Sequence, residues 1–113
     1  AGAAGVVVSN HGGRQVDGAV AAIEQLSAVS DAVGDEVDVL FDSGIRRGAD
    51  ALKALALGAD AVLLGRPFVY GLALDGADGV RTVCENFLAD LDLGLGLVGH
   101  DDVADVDESV LAD

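Results

Sequence analysis

An imidazole and a guanidinium stand three positions apart in Ser9-Asn10-His11-Gly12-Gly13-Arg14-Gln15, directly after the apolar run Val6-Val7-Val8. A neutral imidazole takes up a proton, and a planar guanidinium forks onto a carboxylate. Gly12 and Gly13 let the backbone turn sharply and come close to a ligand. The combination points to proton abstraction from a small acid, with His11 as base and Arg14 as anion clamp. A loop histidine that only satisfies backbone groups is the plainer alternative, and the complete heptapeptide weighs against it.

Two later segments repeat the arrangement of an apolar run emptying into glycine and arginine: Asp42-Ser43-Gly44-Ile45-Arg46-Arg47-Gly48 and Leu64-Gly65-Arg66-Pro67. Cations are unfavourable beside the positive end of a helix dipole. Arg46 and Arg47 at a helix start therefore imply a compensating anion, and the amides freed by Gly44 and Gly48 suit a phosphate. Gly65-Arg66 offers a second grip on it. Asp42 either accepts from a cofactor hydroxyl or caps its own loop, and both readings stay open. Ser9 is a hydrogen-bonding candidate by position, and His100, in a glycine- and acid-rich stretch, reads as a surface residue. The chain has no His/Cys cluster with metal-ligand spacing, no nucleophile elbow and no P-loop.

Three strand-then-helix units position these groups. The first has a strand over 5–9 and a helix over 18–33, whose Val20, Ile23, Leu26, Val29 and Val33 form one apolar stripe. Asp17 is its expected N-cap and Gly34 its stop. The second has a strand over 37–41 and a helix over 49–57 ending at Gly58, with Leu52, Leu55 and Ala56 inward. The third has a strand over 61–64, a short segment over 68–74 and a helix over 77–93, lined by Val80, Val83, Cys84, Phe87, Leu88 and Leu91. The glycine-rich 94–99 stretch is expected to lose the pattern. In the tail, Val103, Val106, Val110 and Leu111 read as a short docking helix.

Short apolar strands alternating with helices predict a parallel sheet covered by helices, joined by right-handed crossovers. Three parallel strands leave raw edges and an open face, so the units read as part of a larger layer or barrel.

With 113 residues, 51% of them hydrophobic, the chain can build a core. No stretch approaches the ~20 apolar residues of a membrane helix. Ala1 is not a start methionine and no leader is visible, which is the expectation for a fragment or processed product. Cys84 is the single cysteine, so an internal disulfide is excluded, and a reducing, cytoplasmic compartment is expected. The net charge of −14, from 20 acidic and six basic residues, argues against nucleic-acid binding. Dispersed carboxylates over an ordinary core point to a halophilic source, where salt screens their repulsion.

The heptapeptide 9–15, the loop 42–48, the helix that follows it over 49–59, and Leu64-Gly65-Arg66-Pro67 closely resemble the FMN-dependent α-hydroxy acid dehydrogenase/oxidase family, over nearly all of residues 1–99. The resemblance implies an α/β fold, the last three βα units of a (β/α)8 TIM barrel, with 100–113 as an acidic tail. It implies His11 as active-site base and substrate contact, and Arg14 on the substrate carboxylate. Ser9 would contact the flavin and Asp42 the ribityl chain, while Ser43, Gly44, Ile45, Arg46, Gly65 and Arg66 would line the FMN site. The implied reaction oxidises a small L-2-hydroxy acid, lactate- or glycolate-like, to the 2-oxo acid. Ser43 departs from the glycine of many relatives. The first five units, with the rest of the flavin pocket, are missing, so the chain is expected to be inactive alone. The full-length parent is expected to be a homotetramer. Two alternatives are another phosphate-binding barrel, of the type 2 isopentenyl-diphosphate isomerase or IMP dehydrogenase kind, and a non-catalytic remnant of a split gene.

Overall fold

The structure is a computed structural model that describes residues 2–112. Three parallel strands, β1 (Gly5–Val8), β2 (Asp38–Phe41) and β3 (Ala61–Val62), form a sheet in the order β1-β2-β3. Val8 pairs with Phe41, and Phe41 pairs with Val62. The strands alternate with α1 (Ala22–Val33), α2 (Gly48–Ala56) and α3 (Arg66–Leu97). All three strands therefore end on the same side, as the unit pattern requires.

The core lies between β2 and the helices. Val39 and Phe41 are fully buried on one face of β2, with Val8, Leu26, Ile45, Ala54 and Ala59 around them. On the opposite face Val7 is 53% exposed, and Leu63 after β3 is 43% exposed. Parallel sheets are ordinarily covered on both faces; this one is covered on one. Asp60 supports the short third strand, because its N–H donates to the Val39 carbonyl (2.8 Å) and its carboxylate accepts the Val39 N–H (2.7 Å).

Several boundaries differ from expectation. α1 begins at Ala22, not Gly18, and its N-cap is Ala21; Asp17 instead accepts the N–H of Gly18, which turns at φ +81°. Val20 lies outside the helix and is exposed. The short 68–74 segment and the third helix are one element, α3, broken at Asp75–Gly76, where Gly76 has φ +54°. α3 also runs through the glycine-rich stretch to Leu97, because Leu95 is buried and Gly94 lies against Leu52. The expected docking helix of the tail is two 3-10 turns, Val103–Asp105 and Glu108–Val110, the second lying against α2.

α2 and α3 end alike. After α2, Gly58 at φ +94° donates to Leu55 and Ala59 donates to Ala54; after α3, Gly99 at φ +89° donates to Gly96 and His100 donates to Leu95. Both are Schellman closures with glycine in the left-handed position. Among the described residues no helix is long and apolar enough to cross a membrane.

Candidate active site

The three strand ends meet around a cleft of about 310 Å³ lined by His11, Arg14, Asp42, Ser43, Gly44, Ile45, Arg46, Gly65 and Arg66, with Gly12, Leu63, Leu64, Pro67 and Val69. The site residues expected from the sequence are in this lining except Gly48 and Ser9, the latter reaching the site through Asp42. A larger apolar cavity, about 690 Å³ between the Arg46–Arg47 loop and the two halves of α3, does not include His11 or Arg14. The polar groups that can do chemistry converge on the smaller cleft.

His11 opens a 3-10 turn, His11–Gly13, that leaves β1 at its C-terminal end. His11 itself has φ +58°, followed by Gly12 at +64° and Gly13 at +74°. Glycine accepts this region freely, whereas a histidine there costs roughly 1 kcal/mol or more. The turn is held by side chains. Ser9 Oγ accepts the His11 N–H (3.0 Å), Ser43 Oγ accepts those of Asn10 (3.3 Å) and Gly12 (3.1 Å), and Asn10 Oδ1 accepts that of Gly13 (3.2 Å). Both serine hydroxyls donate to Asp42 Oδ1.

Asp42 thus does what its loop-cap reading required, through two serines. Its Oδ1 is engaged by the chain itself, which leaves Oδ2 to a ligand hydroxyl. The Ser43 hydroxyl has one proton and two lone pairs, and all three are used inside the chain. What Ser43 can offer a ligand is its backbone.

The anion argued for at the start of α2 is partly supplied from within. Asp50 accepts the N–H groups of Arg46 (2.9 Å) and Arg47 (3.0 Å), and Asp90, from α3, accepts that of Gly48 (2.7 Å). The amide of Gly48 therefore faces a carboxylate of the chain, contrary to its expected place in a phosphate cradle. The guanidinium groups remain. Arg46 is exposed and lines the cleft, and Arg66 spends one N–H on the Gly12 carbonyl (2.7 Å), keeping its other donors. Neither makes an ion pair among the described residues, where the Arg81–Asp78 pair is found. In a chain of net charge −14, two unpaired guanidiniums at one cleft mark it for an anion.

No group of His, Cys, Asp and Glu among the described residues is arranged to hold a metal. The arrangement instead suits an anionic, hydroxyl-bearing ligand: Arg46 and Arg66 for a phosphate, Asp42 Oδ2 for a hydroxyl, and His11 with Arg14 for a small acid at the mouth.

Residues 1–113 match the FMN-dependent dehydrogenase family. The chain is 59% identical over 104 residues to an FMN-dependent alpha-hydroxy acid dehydrogenase of Penicillium citrinum, covering 92% of this chain and 26% of that protein. It is 55% identical to an L-lactate oxidase of Lacticaseibacillus rhamnosus, covering 94% of this chain and 29% of that one. The membrane-associated (S)-mandelate dehydrogenase of Pseudomonas putida, solved as a soluble mutant, superposes with a TM-score of 0.94 at 48% identity, over 98% of this chain and 31% of that one. The chain thus spans under a third of the length of each of these relatives. Its fold is that of three βα units of a TIM barrel, and the chain belongs to the FMN-dependent dehydrogenase family.

Proposed function

We propose that the chain carries the base and the phosphate grip of an enzyme that oxidises a small L-2-hydroxy acid to the 2-oxo acid with FMN. The observation that carries this reading is the single cleft in which His11 and Arg14 face the unpaired guanidiniums of Arg46 and Arg66. FMN fits that donor set. Its phosphate suits the two arginines and the amides near Gly44 and Gly65, and its ribityl hydroxyls suit Asp42 Oδ2. When bound, FMN supplies the acceptor for two electrons.

The chain's own residues do the rest. Arg14 holds the substrate carboxylate by a forked, charge-assisted contact, which fixes the α-carbon relative to the imidazole. His11 takes the substrate proton and carries it as an imidazolium, which favours negative charge developing beside it. Relatives named L-lactate oxidase and mandelate oxidase, together with the His11/Arg14 pair, favour 2-hydroxy acids over the isomerase and IMP dehydrogenase alternatives.

The isolated chain holds part of a site, open on one sheet face, so it is inactive alone, and the homotetramer belongs to the whole protein. The halophilic reading rests on the charge of −14; helicity that does not rise from low to molar salt would remove it. Two experiments test the function. Amide shifts of the labelled chain are followed during titration with FMN and with riboflavin. FMN alone should perturb Gly44, Arg46, Gly65 and Arg66, and equal effects of riboflavin would exclude a phosphate site. Residues 1–113 are then joined to the preceding five βα units of the L. rhamnosus L-lactate oxidase. The chimera should be yellow and oxidise lactate, and a folded, yellow chimera without turnover would overturn the assignment.

A further inference from the structure

We propose that Ser43 is a positioning residue for His11: its hydroxyl latches the left-handed turn bearing His11 to the end of β2. The naming of His11 as the base rests on the function proposed above; the latch does not.

The two residues flanking His11, Asn10 and Gly12, both donate their N–H groups to Ser43 Oγ, across more than 30 positions of sequence. The hydroxyl proton goes to Asp42 Oδ1 at 2.7 Å. That donation fixes the rotor, so both lone pairs are aimed at the turn. Ser9 likewise donates to Asp42, so the 3.4 Å approach of the two serine oxygens lacks a proton and is a contact only. Ser43 therefore has one arrangement that satisfies it, and that arrangement grips the backbone on either side of His11.

The backbone of Ser43 supports this reading. Ser43 has φ +81° and His11 φ +58°, the two non-glycine residues with positive φ among those described, and the latch joins the one to the turn that bears the other. A glycine would hold φ +81° without strain. The side chain is thus present against the local preference of the backbone, and the hydroxyl is what it brings. Ser9 also bonds Asp42, but of the turn's N–H groups it accepts that of His11 alone, and Arg66 reaches only the Gly12 carbonyl, so neither grips the backbone on both sides of His11.

The test uses the 113-residue chain and two variants. Ser43→Gly relieves the backbone and deletes the hydroxyl; Ser43→Ala deletes the hydroxyl and keeps the Cβ. Amide hydrogen exchange should speed up about tenfold at Asn10 and Gly12 in both variants, as expected for loss of a hydrogen bond of ordinary strength. Exchange at Val39 and Phe41 in β2, and the urea midpoint of Ser43→Gly, should stay as in the parent. The ring signals of His11 should shift while those of His100 do not. Unchanged exchange at Asn10 and Gly12, or a His11 ring signal indifferent to both variants, would overturn the proposal. So would acceleration spread equally over β2, which marks general loosening. A chimera that turns over without His11 would sink the assignment of the base and leave these exchange rates as they are.

Discussion

The guanidinium of Arg66 donates to the carbonyl oxygen of Gly12 at 2.7 Å, so the residue that opens α3 closes onto the turn that carries His11. A Cβ built on Gly12 would stand 3.0 Å from Arg66 Nη2, and Gly12 has φ +64°. The first and third strand exits are therefore fitted to each other, and the anion grip holds the backbone carbonyl of the residue next to the base.

Arg66→Ala should weaken binding of inorganic phosphate and of FMN to the chain at least tenfold, since a hydrogen bond to a charged group is worth about 1.5–3 kcal/mol. Amide-shift titration reads the effect. Unchanged affinity would remove Arg66 from the anion site.

At the start of α2, Asp90 accepts the N–H of Gly48 from a different helix. A carboxylate at a helix N-terminus stabilises by roughly 0.3–1 kcal/mol. Asp90→Asn should lower stability by about that amount and make it less sensitive to salt, measured by urea unfolding at low and high ionic strength. An unchanged midpoint at low salt would show that the contact is solvated away.

How far the sequence could be read depended on the range of the interaction. The first two strands, the three arginine-bearing exits and the inner residues Leu26 and Leu52 follow from local runs and helical spacing and stand where that spacing puts them, while the third strand keeps only Ala61–Val62 of the expected 61–64. The glycines of 94–99 misled because glycine disfavours helix in isolation. Here Gly94 admits Leu52 Cδ1 at a distance a Cβ would reduce to 2.7 Å, so packing between helices overrides propensity. Asp17 misled for a related reason: it serves a turn at Gly18, and α1 starts only where Ala22 reaches the core. The Ser43 latch and the caps from Asp50 and Asp90 had no signal to find. A short side chain beside an arginine loop reads as a ligand contact until tertiary structure shows its bonds already spent.

The crossing of α2 and α3 gives a sharper test of packing. A Cβ on Gly48 would lie 2.2 Å from the backbone nitrogen of Leu91, and backbone cannot rotate aside. Gly48→Ala should cost about 3 kcal/mol, at the upper end of overpacking, or prevent folding. Gly96, also in α3, has nothing within 4 Å of its Cβ position. Gly96→Ala should stabilise by about 0.5 kcal/mol through helix propensity. Similar effects of the two variants on the urea midpoint would refute the close crossing.

In the tail, the Ser109 hydroxyl and then the Ser109 backbone N–H hold the Asp107 carboxyl below its ordinary value of 3.8, with a smaller contribution from His100. A carboxylate held low stabilises the folded tail above the ordinary value, and that contribution is lost as pH falls through the folded one. Ser109→Ala should move the Asp107 titration back toward 3.8, followed by carboxyl carbon shifts. No movement would assign the depression to the backbone bond alone.

His11 and Arg14 act on different quantities, and the lactate oxidase chimera can separate them. A base matters only as the proton leaves, so His11→Gln should lower kcat by about 10²–10⁴ with little change in KM. A carboxylate clamp acts on the bound substrate and on the transition state alike, so Arg14→Ala should raise KM and lower kcat together, and Arg14→Lys should recover charge without the planar fork. Each of these losses should appear with the yellow cofactor still bound, because neither residue is on the phosphate grip. If His11→Gln changed KM and left kcat intact, the imidazole would be a substrate contact and the proton would have to leave by another group.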